Sequence, residues 1–179
     1  MKYAFIMNSA SLNPDTYSVI YEYAGNQDYY TAVHGMKMTR ELVKKLASDG
    51  YEQIDLCGAY NSEKAEEIRK ASESNIRVNY AKYSEEDLEK FNALESTSKY
   101  GIIAMGFDMT EDMVRLELTS EEYNTYIAIV ANEETAALGA KKMVEEGINF
   151  IELCGYFDSD KAEKVAEAIG HKVPIGYCG

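Results

Sequence analysis

Apolar and polar residues along this chain alternate between two rhythms, and the alternation repeats. Tyr3-Ala4-Phe5-Ile6-Met7 is a continuous apolar run, the pattern of a strand buried on both faces. Tyr17 to Tyr23 and Tyr29 to Val33 are aromatic and β-branched, with turn-forming residues from Ala24 to Asp28 between them; this predicts a β-hairpin. Farther on, Val114-Arg115-Leu116-Glu117-Leu118 alternates with period two, Ser120-Glu121-Glu122 turns, and Tyr126 to Val130 returns. A helical rhythm follows each hairpin. From Lys37 to Asp49, Leu42, Val43, Leu46 and Ala47 share one face, and Gly50 stands where a helix would close. From Glu133 to Glu146, Asn132 is a predicted N-cap, Glu133 and Glu134 complement the dipole, and Gly147 closes.

The two halves then speak nearly the same phrase. Ile54-Asp55-Leu56-Cys57-Gly58-Ala59-Tyr60 becomes Ile151-Glu152-Leu153-Cys154-Gly155-Tyr156-Phe157 when 97 is added to each number. The register holds without a gap from Lys2 to Tyr80, and the 81 aligned pairs from Lys2 to Lys82 contain 19 identities. Each phrase opens a second helix, with Ala65, Ile68 and Ala71 or Ala162, Val165 and Ile169 facing inward. A short strand follows at Ile76–Tyr80 or Val173–Tyr177. Pro174 has no N–H to donate, so its strand should begin there or lie at an edge. Each repeat therefore reads β-β-β-α-β-α-β, an α/β unit with a mixed sheet. The chain is a tandem duplication, repeat one at 1–82 and repeat two at 99–179. A connecting helix lies in 83–98, N-capped by Ser84, with Leu88, Phe91 and Leu94 as a stripe that would pack the lobes together. The duplication implies two halves related by a pseudo-twofold axis, a dimer fused into one chain, with room for a homo-oligomer beyond it.

Charge narrows the function classes. With 31 acidic against 18 basic residues the net charge is −13, which repels phosphate backbones and anionic lipid; neither nucleic acid nor a membrane is an expected partner. No basic-then-apolar leader opens the chain, and no apolar run approaches the ~18 residues that span a bilayer. A cytoplasmic location is expected. Three cysteines, no C-x-x-C and two histidines suit neither a disulfide framework nor a zinc site. No cofactor or metal is expected.

The candidate chemistry sits in the repeated phrase. Positions two apart in a strand share a face, so Asp55 and Cys57 point together, as do Glu152 and Cys154, while the aliphatic residues point to the core. A carboxylate in a central strand is costly unless it is hydrogen-bonded. Each Cys ends its strand just before a helix N-terminus, where open α/β sheets place ligands. Tyr60 and Phe157 follow the Cys-Gly step, Ser62 and Ser159 open the helices, and all four are ligand-contact candidates. Tyr156 and Phe157, like Tyr60, either stack on a ligand or wedge the helix against the sheet. Two structural roles compete with these: a buried, inert thiol, and a carboxylate that caps backbone amides. A catalytic reading would use Cys57 and Cys154 as a two-thiol acid/base pair of a racemase or isomerase. Another would pair Cys57 with His34, if the strands before them are neighbours, in nucleophilic catalysis; Asp55 and Glu152 complete that candidate set. Repeat two has Ala131 in place of His34.

The run Glu146-Gly147 to Ile151-Glu152-Leu153-Cys154-Gly155-Tyr156-Phe157, with Val173-Pro174-Ile175-Gly176 after it, resembles a bacterial family of unknown function. That family is about one repeat long and marked by an I-E-L-C-G-x-F run. The likeness covers most of 99–178 and is weaker over 2–81, where Asp55 and Tyr60 replace Glu and Phe. It implies a bacterial source and a one-repeat ancestor, and no catalytic residue. The expected function is a small-molecule-binding or interaction protein with its ligand at the strand ends bearing Cys57 and Cys154. The alternative is a cofactor-independent enzyme using those thiols.

Overall fold

The computed structural model describes residues 1–179, which divide into two compact units, Met1–Ala81 and Lys82–Gly179. The first contains β1 (Lys2–Asn8), β2 (Ser18–Tyr23), β3 (Asn26–Val33), α1 (Gly35–Ser48), β4 (Gln53–Leu56), α2 (Ser62–Ala71) and β5 (Arg77–Tyr80). Its sheet runs β2-β3-β1-β4-β5, with β2 antiparallel and the other strands parallel. The second contains β6 (Lys82–Tyr83), α3 (Glu85–Asn92), β7 (Lys99–Met105), β8 (Met113–Thr119), β9 (Asn124–Val130), α4 (Glu133–Glu145), β10 (Phe150–Leu153), α5 (Ser159–Ala168) and β11 (Ile175–Tyr177). Its order is β6-β11-β10-β7-β9-β8.

The duplication extends to strand register. Tyr3 pairs with Gln53 and Tyr100 with Phe150; Asp55 pairs with Asn79 and Glu152 with Gly176. Each second member lies 97 residues after the first. The apolar run of repeat one, β1, takes the centre of its sheet because both faces are buried, with Phe5 and Ile6 fully so. This corrects one expectation. The strands that precede His34 and Cys57, β3 and β4, are not neighbours, because β1 lies between them.

In each unit the two helices pack on one another and on one face of the sheet. Val43 and Leu46 of α1, Ile68 of α2, Ala140 and Met143 of α4, and Val165 of α5 are buried there. Gly101 of β7 brings the strand close to α4, where an added Cβ would lie 2.9 Å from Met143 Sδ. The helices end as their glycines predict. Gly50 and Gly147 adopt φ of +83° and +81°, and the Tyr51 and Ile148 amides donate to Leu46 and Met143 carbonyls at 3.0 Å, the longer bond of a Schellman cap. Asn132 caps α4 reciprocally with Thr135. Pro174 stands just before β11, its carbonyl accepting from the Ile151 amide at 3.1 Å.

The segment between the repeats belongs to the second unit. β6 adds antiparallel to β11, so the edge left by the short last strand is covered. Phe91 of α3 meets Tyr83 and Phe150, each at 5.1 Å between ring centroids, while Leu88 of the predicted stripe is 46% exposed. α3 therefore lies on the sheet face opposite α4 and α5, where Phe150 and Glu152 point.

The hairpin of the first unit turns through Ala24 and Gly25, at φ +44° and +77°. Both central residues are left-handed, as a type I′ turn requires, and Ala is a poor choice for the first. Replacement Ala24→Asn should stabilise the protein by about 0.5–1 kcal/mol. Urea unfolding would show this as a higher midpoint at unchanged slope; a lower midpoint would contradict the turn assignment.

Candidate functional site at the strand ends

The acid of each phrase is buried, Asp55 at 0% and Glu152 at 1% exposure, and takes donors from side chains. In repeat one the Tyr3 hydroxyl donates to Asp55 Oδ2 at 3.0 Å, and Asn79 Nδ2 and Gln53 Nε2 donate to Oδ1 at 2.8 and 3.2 Å. In repeat two the matching tyrosine, Tyr100, donates to Glu152 Oε2, and Tyr83 of β6 donates to Oε1 at 2.6 Å. Gly176 occupies the position of Asn79. A Cβ there would stand 2.7 Å from the Tyr83 ring, so the glycine makes room for the phenol that replaces the amide. These are the bonds that a buried carboxylate needs.

The thiols are buried too, Cys57 at 7% and Cys154 at 5% exposure. Each sulfur accepts a backbone amide from the end of the adjacent first strand, Asn8 N–H or Met105 N–H, both at 3.3 Å. Cys178 is buried as well. Tyr60 (3% exposed) and Phe157 (0%) are buried. The Tyr60 hydroxyl lies 2.7 Å from Thr39 Oγ1 of α1, and burial pushes its pKa up from the ordinary tyrosine value. Ser62 and Ser159 are exposed first residues of their helices, behind the N-caps Asn61 and Asp158. The Asn61 and Asp158 side chains accept the Lys64 and Lys161 amides at 3.0 Å. His34 is exposed at the N-cap of α1 and makes no side-chain cap bond. With β1 between their strands, His34 and Cys57 start two strand spacings apart, roughly 10 Å, and they form no hydrogen-bonded pair.

Two further groups draw on residues beyond the repeated phrase. The first is an acid–phenol cluster in repeat one. Asp28 is 2% exposed and accepts from Tyr30 at 3.2 Å and Tyr23 at 3.4 Å. Burial pushes its carboxyl from 3.8 up to about 7, against the opposing pull of the two phenols and the chain N-terminus. Repeat two carries Thr125 and Ile127 in place of Asp28 and Tyr30, so the cluster has no twin.

The second is a cleft of about 530 Å³ in the second unit, at the C-terminal ends of its parallel strands. Its walls come from the loop after β7 (Phe107, Asp108), the start of α4 (Asn132, Glu133, Glu134) and Tyr156 after β10. Phe107 is 44% and Tyr156 36% exposed, with their rings edge to face at 6.2 Å and 70°. Gly106 also lines it; a Cβ there would run into Met109 Sδ and stand 2.8 Å from Ile129 Cγ2. This is the rim that sequence patterning assigns to ligands in an open α/β sheet, two residues beyond Cys154. Phe107 carries no signal in the sequence, since exposure cannot be read from a residue after a strand. Asp108, Glu133 and Glu134 read equally well as turn and dipole residues.

A duplicated α/β unit with a mixed sheet, a buried carboxylate beside its central strand and a cleft at the strand ends defines the class. The chain belongs to a family of unknown function (DUF6506), which matches it twice, over residues 1–96 and 98–179. The first match runs past the unit boundary, so β6 and α3 are repeat-one sequence built into the second unit. Comparison with curated proteins finds no match. Among solved structures, an ABC transporter system solute-binding protein from Conexibacter woesei DSM 14684 is similar at 10% identity. That similarity spans 97% of this chain and 69% of the other, with a TM-score of 0.30. No helix is long and apolar enough to cross a membrane.

Asp28 gives a pH test. The folded protein keeps its proton up to about pH 7, whereas the unfolded chain releases it near 3.8. Stability should therefore fall as pH rises from about 4 to 7, by ~2–4 kcal/mol. Asp28→Asn should flatten that slope and raise stability at pH 8 by ~1–3 kcal/mol, measured by urea unfolding across the range. An unchanged slope would show that the carboxyl is not the titrating group. The thiols give a second test. Labelling of Cys57 and Cys154 by a disulfide reagent in native buffer should be about 100-fold slower than in urea, limited by opening of the fold; rapid labelling of either would mark it as an activated thiol.

Proposed function

We propose that this protein binds a small molecule at the C-terminal strand rim of its second unit, in the cleft between Phe107, Asn132 and Tyr156, and that binding rather than catalysis is its role. The observation that carries this reading is the cleft itself. It holds a space of about 530 Å³, within the usual range for ligand pockets, and it leaves two large aromatic rings exposed. The phrase that marks the family builds the site indirectly. Cys154 and its amide bond to Met105 fix the strand end, Phe157 anchors the loop in the core, and Tyr156 is thereby turned outward. Neither Ser159 nor its first-unit counterpart Ser62 lines this cleft.

Repeat one supports the reading as an internal control. It keeps the strand register and the buried acid, yet has Ala10 where repeat two has Phe107 and Ala59 where it has Tyr156. Neither ring is needed to build the scaffold. A thermal-shift screen of a metabolite panel against the full chain should find at least one compound that raises the melting temperature by several degrees at about 100 times its Kd. The double replacement Phe107→Ala/Tyr156→Ala should remove that shift while moving the unliganded melting temperature by no more than about 2–3 °C, since both rings are surface residues. A screen without a stabiliser, or a shift that survives the double replacement, would overturn the proposal.

A further inference from the structure

The geometry points to compact organic cations, quaternary or protonated amines, as the molecules that the second-unit cleft takes; this rests on the binding reading above and gives its ligand a chemistry. The lining presents rings and carboxylates, and the two ammoniums that reach it, Lys161 over the Tyr156 ring and Lys164 beside Glu133, come from α5 outside the lining. Asp108, Glu133 and Glu134 line it, and no Lys, Arg or His does. Glu133 is engaged by the Tyr156 hydroxyl at 3.3 Å and by Lys164 at 3.6 Å. Asp108 and Glu134 are exposed and have no ion-pair partner, so two uncompensated charges face the space.

An anion is disfavoured at the same place. The start of α4 would attract one through its free amides, but Asn132 and Thr135 occupy the cap and Glu133 and Glu134 offset the dipole. A neutral apolar ligand would find the rings but gain nothing from the carboxylates. A cation is served by both, because its charge is attracted to the ring face as well as to the acids. The protein already shows that the Tyr156 ring accepts such a charge: the Lys161 ammonium lies 4.9 Å from its centroid.

Repeat one shows that these features are separable from the fold. At the positions of Phe107, Asp108, Glu133, Glu134 and Tyr156 it carries Ala10, Ser11, Met36, Lys37 and Ala59. Every ring and every acid is gone and one charge is reversed, on strands of the same register. The aromatic-acidic lining is therefore a property of the second rim alone. A net charge of −13 also draws cations toward the surface in general.

The test uses the full chain and three cationic probes, tetramethylammonium, choline and phenethylammonium, with 3,3-dimethylbutan-1-ol as the neutral isostere of choline. Titration followed by NMR should show at least one cation perturbing residues around Phe107 and Tyr156, and choline binding about tenfold more tightly than its isostere. The pair Asp108→Asn and Glu134→Gln should weaken that cation about fivefold or more and leave the isostere unchanged; both residues are exposed, so folding is not at stake. The inference is overturned if the isostere binds as tightly as choline, if the neutralised pair binds the cation unchanged, or if none of the three cations binds. If none binds while a neutral or anionic metabolite stabilises the protein through Phe107 and Tyr156, the cation class fails and the binding reading stands. If nothing binds, both fail.

Discussion

One buried carboxylate per repeat, held by a tyrosine from the central strand, is the constraint around which this protein is arranged. Asp55 and Glu152 sit where an apolar side chain would be cheaper, and an ionised carboxylate without partners there would cost several kcal/mol. Tyr3 and Tyr100 lift that cost from diagonal positions on the neighbouring strand. The bond ties the central strand to the strand that carries the cysteine and fixes their register. That register in turn places the thiols against the Asn8 and Met105 amides and the following loops at the rim.

Duplication then let the two copies solve the rest of the problem differently. Repeat one satisfies its acid with Asn79 and Gln53 from its own sheet. Repeat two has Gly176 and Phe150 at those positions and takes its second donor from Tyr83, on a strand supplied by repeat-one sequence. The exchange accounts for three features together: a glycine in the last strand, an added antiparallel edge, and an aromatic cluster of Tyr83, Phe91, Phe150 and Tyr100. The two rims differ as well, and only the second carries the exposed rings Phe107 and Tyr156, where the first has Ala10 and Ala59.

Much of this was legible in the residues because it is local. The hairpin turn at Gly25, the closing glycines Gly50 and Gly147, the Asn132 cap and the repeat register each depend on a few neighbouring positions. The position of β1 between β3 and β4 was not, because a strand apolar on both faces does not name its partners; the expected Cys57–His34 adjacency failed for that reason. Apart from Gln53, two residues before Asp55, the donors to Asp55 and Glu152 come from 24 to 69 residues away, beyond any periodicity. Asp28 looked like part of a turn, and only the pairing of Tyr21 with Asp28 places it inside the sheet. Phe107 and Tyr156 became a pair only when two separate loops met.

The central claim is that Asn79 and Tyr83 are alternative donors to equivalent carboxylates, and a double-mutant cycle in the second unit tests it. Tyr83→Ala should destabilise the protein by ~2–4 kcal/mol, leaving Glu152 short of a donor. Gly176→Asn alone should also destabilise it, through the clash with the Tyr83 ring. Combined, the amide should take the place left by the phenol. The account predicts that the double variant is more stable than Tyr83→Ala alone by about 1 kcal/mol or more in urea unfolding. Simple additivity, with the double variant the least stable of the set, would contradict it.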